Sequence, residues 1–407
     1  MMKKTLWTKN FSMIILGTVI SAIGGVGLSL ALSVTVYIET QSTMLMGLYS
    51  AFTIIPSILL PILLSPFVDR YSRKKIIVNL DFLMGLIFLL FAWATRTGFF
   101  HFSFYVFMGL VMNLNGVIYS LAYKSLFPNL IPKGMFQKGY AIGNLVYPIT
   151  NVVALPIATI IFQFYGVAIL FMIEGVLLLC ASFFERQIDL EETSRDRLVF
   201  KIKEHITDIR EGFSYLIREK GLFSVYLFFV IMMFADGVNI LIYPYFEDHS
   251  ILSVVNYSML LSFQSAGYMF GGFVHYYIKI PPLWRYRLSV IVYFAFALLG
   301  GGFFFMPFLL MLISKFLLGF LGMNSANIRV TSINQHIDDG MRGRMNAVFH
   351  TMISISVLFG KLLAGWLGEV FPYEFVAIIY GGLIVIGVFT FILKNRSSIE
   401  PIYNQEV

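Results

Sequence analysis

Twelve runs of about twenty apolar residues recur along this chain, and roughly 20 residues is the length of helix that crosses ~30 Å of hydrocarbon. The runs fall at 11–38, 43–68, 76–95, 99–123, 139–163, 165–184, 221–246, 251–278, 288–305, 307–330, 345–368 and 372–393. Backbone polar groups inside lipid must be satisfied within helices or closed barrels, so runs of this length read as membrane-spanning helices. The composition points the same way: of 407 residues, 58% are hydrophobic and only 13% charged. Soluble domains carry about 25% charged residues. So little charge cannot coat a globular surface, which excludes a soluble enzyme, a disordered chain and a secreted disulfide scaffold. The one cysteine, Cys180, allows neither an internal disulfide nor a cysteine-based metal cluster. Lys3, Lys4 and Lys9 precede the first run as they would in a signal peptide. That run is much longer than the roughly 7–15 residues of a signal core, so a retained helix is expected.

The basic residues set the topology. With the amino terminus inside, 26 of the 29 lysines and arginines fall on the cytoplasmic side. Arg96 alone falls outside, and Lys315 and Lys361 lie within spans. This is the positive-inside bias, and it predicts that both termini are cytoplasmic. The net charge of +7 therefore faces the inner leaflet of the lipid bilayer and requires no nucleic-acid partner.

The segment 185–220 holds 17 of the 51 charged residues and divides the spans six and six. The expected organisation is a six-helix bundle at 1–184, a charged cytoplasmic linker at 185–220, a second bundle at 221–393 and a cytoplasmic tail at 394–407. Within the linker, Ile202, Ile206, Ile209, Phe213, Leu216 and Ile217 are spaced for an amphipathic helix at the membrane surface. The two halves also repeat. Ile131, Gly134, Met135, Lys138 and Ala141 recur at an offset of 206 residues as Ile337, Gly340, Met341, Arg344 and Ala347. Parallel six-helix repeats suggest a transporter with its small-molecule site near the bilayer midplane. One chain supplies both halves, so a monomer suffices.

The residues SPFVDRYSRKK, 65–75, lie between the second and third spans. They resemble the G-x-x-x-D-R-x-G-R-[RK] signature of the major facilitator superfamily. Asp69, Arg70, Arg73 and Lys74 match, while Ser65 and Ser72 stand where the pattern has glycines. Within that superfamily the chain is similar to the bacterial macrolide-efflux and enterobactin-exporter group. The similarity rests on DRYSRKKIIVNLD (69–81), FPNLIPKGMFQKGYA (127–141), FMIEGV (171–176) and REGFSYLIREKGLF (210–223). The resemblance implies an all-α membrane protein with twelve transmembrane helices in two pseudo-repeated six-helix halves, the major facilitator fold. It also implies a bacterial cytoplasmic membrane, alternating access, and drug efflux by proton antiport. In this family Asp69, Arg70, Arg73 and Lys74 would latch the cytoplasmic helix ends in the outward-facing state. The chain departs from the family at two places. Asn113 stands where members often carry a proton-linked arginine three residues before a glycine, here Gly116. In the fifth span Pro156 persists, but Leu155, Thr159 and Ile160 replace the glycines of the antiporter pattern. Proton coupling would then have to use other groups.

Charges inside spans identify those groups, because an ionisable side chain at mid-helix costs at least ~2.5–3.5 kcal/mol. Glu174, Asp236 and Lys315 are the candidates for proton coupling or substrate binding in a water-filled cavity. Lys315 is suited either to an anionic substrate group or to a structural pair with one of the acids. Lys361 is placed to snorkel toward headgroups, and Asp81 to partner the basic loop; both are secondary candidates. Arg329 reads as a topology anchor. Tyr123, Tyr147, Tyr243 and Tyr268 are candidates to line a cavity. The sequence holds no Walker loop, dinucleotide fingerprint, nucleophile elbow or metal-ligand spacing among its six histidines. No enzyme activity, cofactor or metal is expected. Three readings remain open: export of a macrolide-like amphipathic drug, export of a siderophore or other endogenous metabolite, and a non-transporting sensor or immunity protein.

Overall fold

The apolar runs fold as long helices in the computed structural model, which describes residues 5–190, 202–249, 252–278 and 280–405. In chain order these are α1 (Lys9–Thr40), α2 (Thr43–Arg70), α3 (Arg73–Thr95), α4 (Phe102–Leu130) and α5 (Phe136–Arg186). There follow α6 (Ile202–Arg218), α7 (Lys220–Ala235), a 3-10 segment (Asp236–Leu241) and α8 (Ile242–Asp248). The rest are α9 (Val254–Tyr277), α10 (Pro282–Gly301), α11 (Phe308–His336), α12 (Arg342–Val370), α13 (Tyr373–Gly387) with a π turn after it (Val388–Leu393), and α14 (Arg396–Tyr403). Among the described residues, ten helices are long and apolar enough to cross a membrane. The 51-residue α5 supplies two of the expected spans, because it turns at Gly166, whose φ of 74° a glycine adopts without steric cost. The remaining one is α9, a 24-residue helix made less apolar by Asn256, Gln264 and His275.

Helix ends follow from their capping residues. Thr8 accepts a hydrogen bond from the Phe11 amide at the start of α1, and Ser72 accepts one from the Lys75 amide at the start of α3. A glycine at position 72, as in the family pattern, would lack that cap. Ser253 and Asn256 close a capping box on α9.

The chain forms two compact units. One comprises Met1–Gln41 and Phe52–Phe200, the other Ser42–Ala51 and Lys201–Val407. The first ten residues after Gln41 thus pack with the C-terminal unit. There Thr43 donates to the Gly365 carbonyl at 2.7 Å, and the Met44 amide and Ser42 hydroxyl donate to Glu369 Oε1 at 2.9 and 2.6 Å.

Each bundle is held by close backbone contact at small residues, as expected where lipid removes the hydrophobic drive between helices. In the N-terminal unit α5 packs along both α1 and α3, and Gly85 meets Gly175 where α3 and α5 cross. A Cβ on either glycine would lie 2.9 Å from the other's carbonyl oxygen. In the C-terminal unit Gly267 of α9 lies against the α11 backbone, and Gly237 of the 3-10 segment lies against Gly360 of α12.

The repeat is preserved residue for residue at one junction. Helices α4 and α11 each have 29 residues and begin at Phe102 and Phe308, 206 positions apart. Ile131 and Ile337 end them in the same extended conformation, with φ/ψ of −86°/127° and −83°/136°. The helices that follow start at Phe136 and Arg342, at the same offset.

The amphipathic linker helix is α6. It docks on the N-terminal end of α12, with Leu216 fully buried and Arg344 paired to Glu211 at 3.0 Å. Phe213 and Ile217 remain exposed. The C-terminal segment is also folded onto its bundle. Ile399, Ile402 and Tyr403 of α14 are buried, and the Tyr403 hydroxyl meets that of Tyr293 at 3.0 Å. Within α14, Arg396 hydrogen-bonds Glu400 and holds its carboxyl below the usual carboxylate range.

Candidate functional site

The intramembrane charges sort into one cluster per unit. In the C-terminal unit the seventh span stops being α-helical at Asp236, where Gly237 has no side chain and lies against α12. The tighter 3-10 turn directs Asn239 back to Asp236: its amide donates to the Asp236 carboxylate at 2.7 Å and to the Asp236 carbonyl at 2.9 Å. On the other side Asn239 Oδ1 accepts from Lys315 Nζ of α11 at 2.6 Å. Asn239 thus relays between acid and base. Lys315 is buried, and its ammonium also lies 4.9 Å from the centroid of the Phe303 ring, a cation–π contact. Lys361 of α12 lies within electrostatic reach of the same aspartate. Asp236, Asn239 and Lys315 border a pocket whose walls also include Gln264, Phe296 and Phe303. Two lysines therefore face one aspartate.

In the N-terminal unit Glu174 is buried on α5, facing Gly24 and Gly25 of α1; a Cβ at Gly24 would collide with its carboxylate. The structure corrects the expectation for Asp81. It is wholly buried rather than turned to the basic loop, and its Oδ2 accepts a hydrogen bond from Ser21 of α1 at 3.2 Å. Its other neighbour is Glu185, whose Oε1 accepts from Tyr119 of α4 at 2.9 Å. The Tyr119 hydroxyl lies 3.2 Å from that of Thr18. The physical reason is helix length: α5 runs to Arg186, so Glu185 belongs to the buried end of a span rather than to the linker.

The remaining candidates divide. Tyr123 stacks between Tyr119 and Phe127, and Tyr243 donates to Glu247 at 2.8 Å. Tyr268 lies beside Gln264 and within electrostatic reach of Asp236, and Tyr147 within reach of Glu174. Arg329 is sandwiched between the rings of Phe229 and Phe349, 3.9 and 4.8 Å from their centroids, which is more than an anchor requires. In the proposed latch, Arg73 and Lys74 lie in the first turn of α3, and the side chains of Asp69 and Arg70 lie outside the described ones. Among the described residues, no group of three or more histidine, cysteine or acidic side chains could hold a metal ion.

The Major Facilitator Superfamily profile matches residues 14–328 and 227–405, and the chain belongs to that family. It is a multi-pass membrane protein of a family of secondary transporters. No curated protein matches its sequence. Solved structures with a similar fold include the nucleoside transporter NupG, at 14% identity over 95% of this chain and 98% of that one, with a TM-score of 0.71. A D-xylose-proton symporter matches at 15% identity over 95% and 98%, with a TM-score of 0.67. A bacterial homologue of the iron transporter ferroportin matches at 12% identity over 99% and 100%, with a TM-score of 0.66. At these identities the likeness is one of fold.

Proposed function

We propose that this protein exports an amphipathic small molecule bearing an acidic group, by alternating access and in exchange for protons. The observation that carries the reading is the pocket in the C-terminal unit, where Asn239 stands between Lys315 and Asp236, and Lys361 lies within electrostatic reach of the same aspartate. Among the described residues the buried Lys315 ammonium is held directly by a neutral amide and an aromatic face, with Asp236 beyond the amide, and so keeps unspent attraction for an anion. The aromatic walls suit an apolar body beside that anionic group. Among the sequence-based readings this favours a siderophore or another acidic metabolite over a macrolide-like drug. Glu174 is the carboxyl proposed to take up the exchanged proton, and Asp236 the acid that substrate displaces from the lysines. Direction and coupling rest on the resemblance to the exporter group.

The test is reconstitution in vesicles holding a pH-sensitive dye, with an imposed pH gradient and a panel of macrolides, lipophilic cations and catecholate siderophores. Proton movement is expected with the acidic members, lost in Glu174→Gln, and shifted to higher substrate concentration in Lys315→Gln. Binding without proton movement in the unaltered protein would favour the non-transporting sensor. Proton movement that persists in Glu174→Gln would remove that residue from coupling.

A further inference from the structure

The N-terminal unit buries three carboxyl groups, Asp81, Glu174 and Glu185, and among the described residues none pairs with a lysine or arginine. Their hydrogen bonds leave a specific deficit. Asp81 Oδ2 receives the Ser21 hydroxyl, and Glu185 Oε1 receives the Tyr119 hydroxyl. The second oxygens, Asp81 Oδ1 and Glu185 Oε2, are buried with no donor, and the two carboxyls are neighbours: Asp81 meets Ser21 and Glu185 meets Gly17, one helical turn apart on α1. Two carboxylates so placed in an apolar interior repel strongly, and each orphan oxygen forfeits a hydrogen bond. One proton between them removes both penalties.

We propose that Asp81 and Glu185 share a single proton, forming a proton-binding site inside the N-terminal bundle where α1, α3, α4 and α5 meet. The bundle is built around the pair. Gly17 of α1 leaves room for it, since a Cβ there would lie 2.6 Å from Glu185 Cγ and Oε1. The groups facing the site are Ser21 and Thr18 from α1, Tyr119 and Tyr123 from α4, and Tyr147 and Glu174 from α5. Every one is neutral or acidic. Loading moves one proton from water to a carboxylate oxygen and leaves the pair with a single negative charge. Release restores two negative charges, whose repulsion drives α3 and the end of α5 apart. The site thus converts a proton into a change of helix packing. Its use in transport rests on the antiport reading above; its existence does not.

Infrared difference spectroscopy on the full chain in lipid separates the two. In a Glu174→Gln background, the carbonyl stretch of a protonated carboxylic acid is expected at neutral pH. It should be lost in both Asp81→Asn and Glu185→Gln, where the new amide donates the missing hydrogen bond to the remaining carboxylate. Should either variant fail to fold, carboxyl-labelled aspartate or glutamate in the parent chain keeps the test open. Each label is expected to shift the band. A band untouched by both labels, or its absence, overturns the shared proton. So does stabilisation by sodium without the band, which would make the site one for a metal cation. The vesicle assay is then run on Asp81→Asn and Glu185→Gln with Glu174 left intact. A lost band with unchanged proton movement would leave the antiport reading standing and exclude the pair from it, whereas an intact band with no proton movement in the parent would do the reverse.

Discussion

Asn239 shows how much one neutral residue decides in the C-terminal pocket. It joins Lys315 to Asp236 without neutralising either, so a ligand can replace it on the lysine more readily than it could break a direct ion pair. Asn239→Leu removes two hydrogen bonds to charged groups, each worth about 1.5–3 kcal/mol. Its expected outcome is a lower melting temperature together with weakened binding of acidic substrates, measured by thermal scanning with and without ligand. Lys361→Gln should weaken the same binding with little loss of stability, since that side chain is only partly buried. Asp236, Lys315 and Glu174 were legible in the sequence as charges out of place in apolar runs. Glu185 and Asn239 were not. Glu185 sits where a span meets a charged linker, and composition cannot tell the last buried turn from the first exposed one. Asn239 carries no charge, and its importance arises only when the 3-10 turn folds it back onto Asp236. The string FADGVNIL does carry one signal, since Gly237 and Asn239 are residues that can loosen a helix there. Asp81 was visible as a residue, but its partners come from α1 and α5, distant in sequence.

Small residues at helix crossings govern the next level. Gly85 and Gly175 let α3 and α5 approach backbone to backbone. Gly175→Leu overpacks that crossing and is expected to cost about 1–3 kcal/mol, read as a drop in melting temperature. Arg329 is held by two aromatic faces, and its Nε is buried without an acceptor. The element least visible beforehand is α14. Its buried side chains Ile399, Ile402 and Tyr403 have helical spacing, but eight residues after a membrane span read as a tail. Truncation after Asn395 removes their burial, about 1.5–3 kcal/mol for each large apolar side chain, and uncovers the Tyr293 hydroxyl. The truncated chain should melt earlier than the full one and remain helical by circular dichroism. The long helices, by contrast, were readable to within seven residues at either end. Lipid leaves backbone groups no other solution, so apolar length alone defines them. Only the turn at Gly166 and the break at Asp236 needed local detail.

At the scale of the whole molecule, the superfamily signature proposes a latch, and its variants should separate binding from turnover. Asp69→Asn is expected to slow substrate-driven proton movement while leaving substrate affinity unchanged, as measured by equilibrium binding beside the vesicle assay. Lys75→Gln should do neither, if that lysine only fixes topology. The two units differ in the charge they bury among the described residues: the first buries Asp81, Glu174 and Glu185, the second Lys315. Counting 206 residues on from Asp81, Tyr119 and Glu185 gives Arg287, Ser325 and Phe391. The C-terminal half keeps in α11 the length of α4 and the junction that follows it, down to the conformation of Ile337, without either acid of the pair or the tyrosine that orients Glu185. A molecule that carries the same frame twice supplies its own comparison. Packing behaviour common to both bundles belongs to the frame, and a response to protons confined to the first marks the chemistry that was added to it.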